Sequence, residues 1–170
     1  MTTVTRLYLK SFFVYGIIFA LLMTLWEYID EEKINIWKQI FQGAIFGGLM
    51  SWTTIRSHKQ AIRKQGKKEM TEEDFKVSQS GFVNSEKSIQ QIYVLLNNND
   101  ITSKWKLKIE NSKIIAKTKI SWSSWGEKII ISDLENIVKI ESEPVLKTTM
   151  FDNGRNRENV LLIKSLIENN

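Results

Sequence analysis

The residues that could do chemistry are few. His58 is the only histidine and there is no cysteine, so a His-based triad, a thiol nucleophile and a Cys/His metal site are all out of reach. Glu127, Asp133, Glu135, Glu141 and Glu143 are spread over short segments and turns. Acid/base catalysis needs two carboxylates brought together, and this spacing does not demand it. There is no glycine loop to cradle phosphate and no dinucleotide fingerprint. The expectation is a protein without cofactor or metal, and an enzyme acting at a membrane ranks behind binding functions.

Three other constellations carry polar or aromatic groups. The first is a basic run in which Arg56, Lys59, Arg63, Lys64, Lys67 and Lys68 supply six positive charges with no acid among them, against a net charge of +5 for all 170 residues. Beside anionic headgroups each such cation contributes about 1 kcal/mol; the plainer reading is a topological signal with no specific lipid. Binding of nucleic-acid phosphates by this run is disfavoured, because the run begins where an apolar stretch ends. The second is Ser121-Trp122-Ser123-Ser124-Trp125-Gly126-Glu127. Two tryptophans three apart cannot both face a core if strand alternation holds. The spacing favours a bulged hairpin with both rings under helices over one exposed ring able to touch membrane, partner or ligand. The third, Asp152-Asn153-Gly154-Arg155-Asn156-Arg157-Glu158-Asn159, reads as the start of a helix with Asn156 as its cap. Its functional alternative is a polar pocket at a helix N-terminus, assisted by Arg155 and Arg157, that receives an anion or a partner carboxylate.

These groups must be positioned by two kinds of element. Mean hydropathy is −0.23, but most long apolar runs lie before residue 56. Spans are expected at about 7–26 and 36–55, each near the 20 residues that cross a bilayer core. They would form a transmembrane hairpin over 1–55. The first run ends Leu25-Trp26-Glu27-Tyr28, without the small residues of a cleavage site, so an uncleaved anchor is expected rather than a signal peptide. Glu27, Asp30, Glu31 and Glu32 mark the loop between the spans. Trp26, Tyr28 and Trp37 lie at that end, Tyr8 and Trp52 at the basic end. The positive-inside rule puts both termini in the cytoplasm of a bacterial inner membrane. A buried hairpin of a soluble protein is the rival reading. Gly43 and Gly47 form a GxxxG pattern for close helix packing, either on the first span or on another protomer.

Residues 56–74 are expected to form a basic-then-acidic juxtamembrane helix or linker. Residues 75–170 form a cytoplasmic α+β domain in the order helix, four-stranded antiparallel meander, helix. Asn84 or Ser85 would cap the first helix, with Ile89, Ile92, Tyr93 and Leu96 at helical spacing. Trp105, Leu107 and Ile109 then alternate with Lys104, Lys106 and Lys108 as a half-buried strand. Strands follow at 114–122, 128–132 and 137–142, and a last helix carries Val160, Ile163 and Leu166 or Ile167 on one face. Both helices would cover one sheet face.

SWSSWGEKIII followed by FDNGRNRENV resembles an uncharacterised family of small bacterial membrane-anchored proteins with an SWxSWGE hairpin before a DxGxNxxN helix start. The resemblance covers roughly Ile114 to Ile167. It implies the domain's boundaries and transfers no activity.

The function expected is a non-enzymatic integral membrane protein whose cytoplasmic domain binds a partner, as an accessory or regulatory subunit of an inner-membrane assembly, or as a homo-oligomer. Trp122, Trp125, Glu127, Asp152, Arg155 and Asn156 are its candidate partner or ligand contacts. The alternative is a lipid-binding or lipid-sensing module, with the basic run and the Lys-rich strand face on anionic lipid.

Overall fold

The computed structural model describes residues 2–30, 33–67, 69–121 and 124–169. The chain divides into two compact units, Met1–Phe75 and Lys76–Asn170.

The first unit is built on two long antiparallel helices, α1 (Thr3–Ile29) and α2 (Ile36–Lys64). Thr2 caps α1 and Asn35 caps α2 through side-chain oxygens that accept from Thr5 N and Lys38 N. Among the described residues one helix, Val4–Ile29, is long and apolar enough to cross a membrane. The expectation of two equivalent spans meets this criterion only for the first, because Gln39, Gln42, Gly43, Gly47, Gly48 and Ser51 dilute the apolar character of α2. The diluting residues have a place. Gln39, Gly43, Gly47 and Ser51 recur every four residues on the buried stripe of α2, while Ile40, Phe41, Ile45, Leu49 and Trp52 are exposed.

Small residues let the two backbones touch. A Cβ on Gly43 would stand 2.7 Å from the Gly16 carbonyl oxygen, and one on Gly47 would stand 2.5 Å from that of Phe12. Gly43 and Gly47 therefore pack on the first helix of the same chain. Stacking of Phe19 on Phe46, with ring centroids 4.2 Å apart, continues the seam. Near the connection the Lys38 ammonium lies 2.8 Å from the buried Glu27 carboxylate.

The basic run does not stay helical to residue 74. It continues α2 only to Lys64, where Gly66 takes a left-handed conformation (φ +85°) that a side chain would strain, and its N–H bonds back to the Arg63 carbonyl. The chain returns in a 3-10 turn, Glu72–Phe75. The Nε2–H of buried His58 donates to the Asp74 carbonyl at 3.1 Å, and its ring lies 5.5 Å from that of Phe75.

The second unit is α+β, with a five-stranded antiparallel sheet of order β1-β5-β4-β3-β2. Its strands are β1 (Gln79–Asn84), β2 (Lys106–Glu110), β3 (Lys113–Lys117), β4 (Glu127–Asp133) and β5 (Ile137–Pro144). The expected four-stranded meander is thus β2 to β5, and β1 is the strand the sequence reading lacks. β1 pairs with β5 from Gln79↔Ser142 to Asn84↔Ile137. Its sequence, QSGFVN, does not alternate cleanly; Gly81 is required because a Cβ there would stand 2.6 Å from Val160 Cγ1. Because Asn84 belongs to this strand, the first helix of the unit, α3 (Ile89–Asn98), starts later than expected. Ser88 caps it, in a reciprocal box with Gln91. β3 ends at Lys117 rather than running to Trp122, which lies outside the described residues.

Helices α3 and α4 (Arg155–Glu168) bury their apolar stripes on one sheet face. Ile92, Leu96, Ile114, Ile129, Ile131, Ile140 and Ile163 are fully buried there, each contributing about 1.5–3 kcal/mol of transfer free energy. The other face carries lysines and acids in pairs, such as Lys139–Glu141 at 2.7 Å and Lys108–Glu110 at 2.8 Å. These exposed pairs are worth little each.

Candidate functional site

The basic end of the helix pair holds a cleft of about 650 Å³, within the size range of small-molecule sites. α1 contributes Val4, Thr5 and Tyr8 from its first two turns. α2 contributes Trp52, Ile55, Arg56, Lys59, Gln60 and Arg63. The 52, 56, 59, 63 spacing sets an aromatic ring and three cations on one helical face, beside the stripe that packs on α1. The Arg56 guanidinium lies 5.1 Å from the centroid of the Trp52 ring, within reach of a cation–π contact that also pre-orients the cation. Among the described residues no carboxylate pairs with Arg56, Lys59 or Arg63, and none lines the cleft. The positive end of the α1 dipole opens at the same place, with no acid in its first turn. The hydroxyls of Thr5 and Tyr8 and the amide of Gln60 add hydrogen-bonding capacity. Such a set offers three cations, hydroxyls and an aromatic ring in one cleft, a chemistry that complements an anion carrying apolar groups.

Of the six cations expected at lipid headgroups, three converge on this cleft. Lys64 is exposed on α2 outside it. Lys67 has another use: its ammonium lies 2.7 Å from both carboxylate oxygens of buried Asp74. Lys68 lies outside the described residues. Asp74 also accepts from the Thr71 amide at 2.7 Å and hydroxyl at 2.9 Å. Burial pushes its carboxyl up, but the hydrogen bonds from Lys67 and Thr71 outweigh burial and hold it below its ordinary value.

The expected contacts of the α+β unit fall into two groups. Trp125 is exposed (66%), so the arrangement with both rings under the helices is overturned for this ring. Glu127 is turned inward: it accepts from the Thr118 and Ser124 hydroxyls, while its own N–H donates to Thr118 Oγ1 at 2.8 Å. It staples the hairpin that displays Trp125. Gly154, not Asn156, is the N-cap residue of α4, and the side chain of Asp152, two residues before it, supplies the capping bonds. Its carboxylate accepts from Gly154 N at 3.1 Å and Asn156 N at 2.8 Å, so the helix N-terminus already holds an internal anion. Asn156 is the second residue of the helix, fully buried, accepting from Ser142 Oγ at 2.6 Å. Arg155 is half-buried at the first position of α4.

Glu127 and Asp133 stand at opposite ends of β4, about 20 Å apart at strand rise, which removes them as an acid/base pair. Among the described residues, no group of three His, Cys, Asp or Glu side chains is arranged to hold a metal ion. Sequence reasoning named Tyr8 and Trp52 as interfacial aromatics but did not join them to the cations. The signal was present in the i, i+4, i+7, i+11 spacing from Trp52 to Arg63; what was missing was the knowledge that α1 begins opposite that face. Comparisons with protein-family models, with curated proteins and with solved structures returned no match.

Proposed function

We propose that this is a non-enzymatic integral membrane protein that binds the headgroup of an anionic phospholipid in the cleft of its helix pair and carries its α+β unit on the cytoplasmic side. The observation that carries this reading is the convergence of Arg56, Lys59 and Arg63, none neutralised by a carboxylate, with Tyr8 and Trp52 in one cleft. Tyrosine and tryptophan favour the headgroup level, and cations favour anionic lipid at that depth. The burial pattern of the helices supports a lipid setting. Phe13, Ile17, Leu21, Phe41, Ile45 and Leu49 are exposed while glycines, Gln39 and Ser51 are buried. A water-soluble hairpin would reverse that pattern. Both termini are assigned to the cytoplasm from the positive-inside rule. This reading is preferred to a partner-binding accessory subunit because it rests on a built site with matched ligand chemistry.

The test uses the full chain in non-ionic detergent, titrated with short-chain phosphatidylglycerol, short-chain phosphatidylcholine and water-soluble glycerol phosphate, with binding read by tryptophan fluorescence. Saturable binding of phosphatidylglycerol alone is expected. Removing three cations at about 1 kcal/mol each, as Arg56→Gln/Lys59→Gln/Arg63→Gln, is expected to weaken it by about two orders of magnitude. Equal response to the choline lipid, or an unaffected triple variant, would overturn the reading. Equal response to glycerol phosphate would assign the cleft to a soluble phosphate ester.

A further inference from the structure

One end of the five-stranded sheet gathers features that its sequence neighbours do not share. β3 ends there at Lys117, β4 begins at Glu127, β5 ends at Pro144 and β2 begins at Lys106, as the pairings Lys106↔Lys117, Lys117↔Lys128 and Glu127↔Pro144 require. The loops leaving this end carry Ile120 (70% exposed), Trp125, Val145 (47%) and Leu146. The loops are tied together, since Val145 N donates to Gly126 O at 3.0 Å and Thr118 N donates to Glu127 O at 3.0 Å. Lys106, Lys117, Lys119 and Lys147 are exposed around the apolar group. Of the exposed acids at this end, Glu143 lies 3.5 Å from Lys128 and Glu158 sits in the first turn of α4.

The opposite end differs in charge. It carries Glu110, Asp133 and Glu135 in and beside its two hairpin turns, against Lys113. The unit is therefore polarised in charge along its strands, basic at one end and acidic at the other, and the basic end carries the exposed tryptophan. The chain also enters the unit at the basic end: β1 begins there, with Gln79 opposite Ser142, only three residues after the unit's first residue.

We propose that this end of the α+β unit docks on the membrane surface, with Ile120, Trp125, Val145 and Leu146 at the interface and the surrounding lysines on anionic headgroups. A tethered unit whose point of entry, exposed tryptophan and lysines all share one end presents that end to the leaflet from which it emerges. The stapled Glu127 carboxylate holds the hairpin so that Trp125 is displayed rather than buried. The inference rests on the membrane reading of the helix pair and is independent of the headgroup cleft.

The absence of native cysteine makes the test direct. Single variants Ile120→Cys, Trp125→Cys and Leu146→Cys at the basic end, Leu134→Cys at the acidic end and Ile17→Cys in α1 are nitroxide-labelled. Each is studied in the full chain, reconstituted in phosphatidylcholine/phosphatidylglycerol vesicles. Collision with oxygen exceeding collision with a water-soluble nickel chelate is expected at 120, 125, 146 and 17, with the ratio reversed at 134. Lipid-type accessibility at 17 with water-type accessibility at 120, 125 and 146 would overturn the docking alone. Water-type accessibility at 17 would overturn the membrane reading itself. Spin–spin broadening between copies at 120 or 125 would assign the patch to a second copy of the chain and overturn docking on lipid. Lys119→Glu/Lys147→Glu is expected to return the label at 125 to water-type accessibility; an unchanged ratio would overturn the role of charge.

Discussion

Gly47→Ala is the smallest change that tests how the helix pair is held. The added Cβ would stand 2.5 Å from the Phe12 carbonyl oxygen and 3.1 Å from both the Cα and the N of Gly16. These are backbone atoms, so no side chain can rotate away. Ordinary contact begins near 3.4 Å, and the helices must part locally by about 0.9 Å. Overpacking of this kind costs about 1–3 kcal/mol, against a gain of about 1 kcal/mol from replacing a helical glycine. Gly48→Ala is the matched control. A Cβ there meets nothing nearer than Tyr8 Oη at 3.9 Å, so it keeps the propensity gain without the clash. The difference between the two variants, about 1–3 kcal/mol in favour of Gly48→Ala, isolates the close approach. Fluorophores on Thr5→Cys and Gln60→Cys, which line the same cleft, report separation of the helices by energy transfer as sodium dodecyl sulfate is titrated into non-ionic micelles. Gly47→Ala is expected to separate at a lower mole fraction of the denaturing detergent. Equal midpoints for the two variants would refute the packing derived for Gly43, Gly47 and Gly16.

Two further outcomes follow from the polar network. Asp74 has its folded pKa held below the ordinary 3.8, so the folded state binds the proton less readily than the unfolded chain. Its contribution is present in full above the unfolded carboxylate value and is lost as pH falls through the lower folded one. The hydrogen-exchange protection of residues 69–75, relative to the intrinsic rate at each pH, should therefore fall on acidification below about pH 4, and Asp74→Asn should remove that pH dependence. In the second unit, Asp152→Ala deletes the side chain that supplies the capping bonds of α4 and should cost about 1 kcal/mol. That is a fall of several degrees in the thermal midpoint of a domain this size, and no fall would refute the capping role.

How much of this could be read beforehand differs by element. The alternation of Leu107 and Ile109 with lysines, the Asn111-Ser112 turn and the apolar runs at 128–132 and 137–142 announced β2 to β5, because local periodicity carries the strand signal; burial follows it in β4 and β5, whereas Ile109 of β2 is exposed. β1 was silent because its residues answer to distant neighbours: Gly81 to Val160 of α4, and Gln79 and Asn84 to backbone partners on β5. At the start of α4 the residue types were legible and the division of labour was not. Asp152, Asn156 and Asn159 are all good caps by type, and the packing of α4 over Ser142 decides that the Asp152 side chain supplies the capping bonds while Asn156 is buried.

The sequence by itself determined the partition of the chain. Clustering of apolar residues before residue 56, the basic block behind them, a single histidine and the lack of cysteine are additive, local properties that no packing can change. Only the tertiary structure decided which cations share a site. Charge along a helix is read every residue, but a cleft needs a second wall. Tyr8 and Thr5 reach Arg56, Lys59 and Arg63 because the contacts of Gly43 and Gly47 with α1 set the antiparallel register. The same holds for Lys67, which sequence grouped with the headgroup cations and the fold commits to Asp74. An ion pair depends on where the chain returns, and the return is set by Gly66 and by the docking of His58 on the turn that carries Asp74 and Phe75.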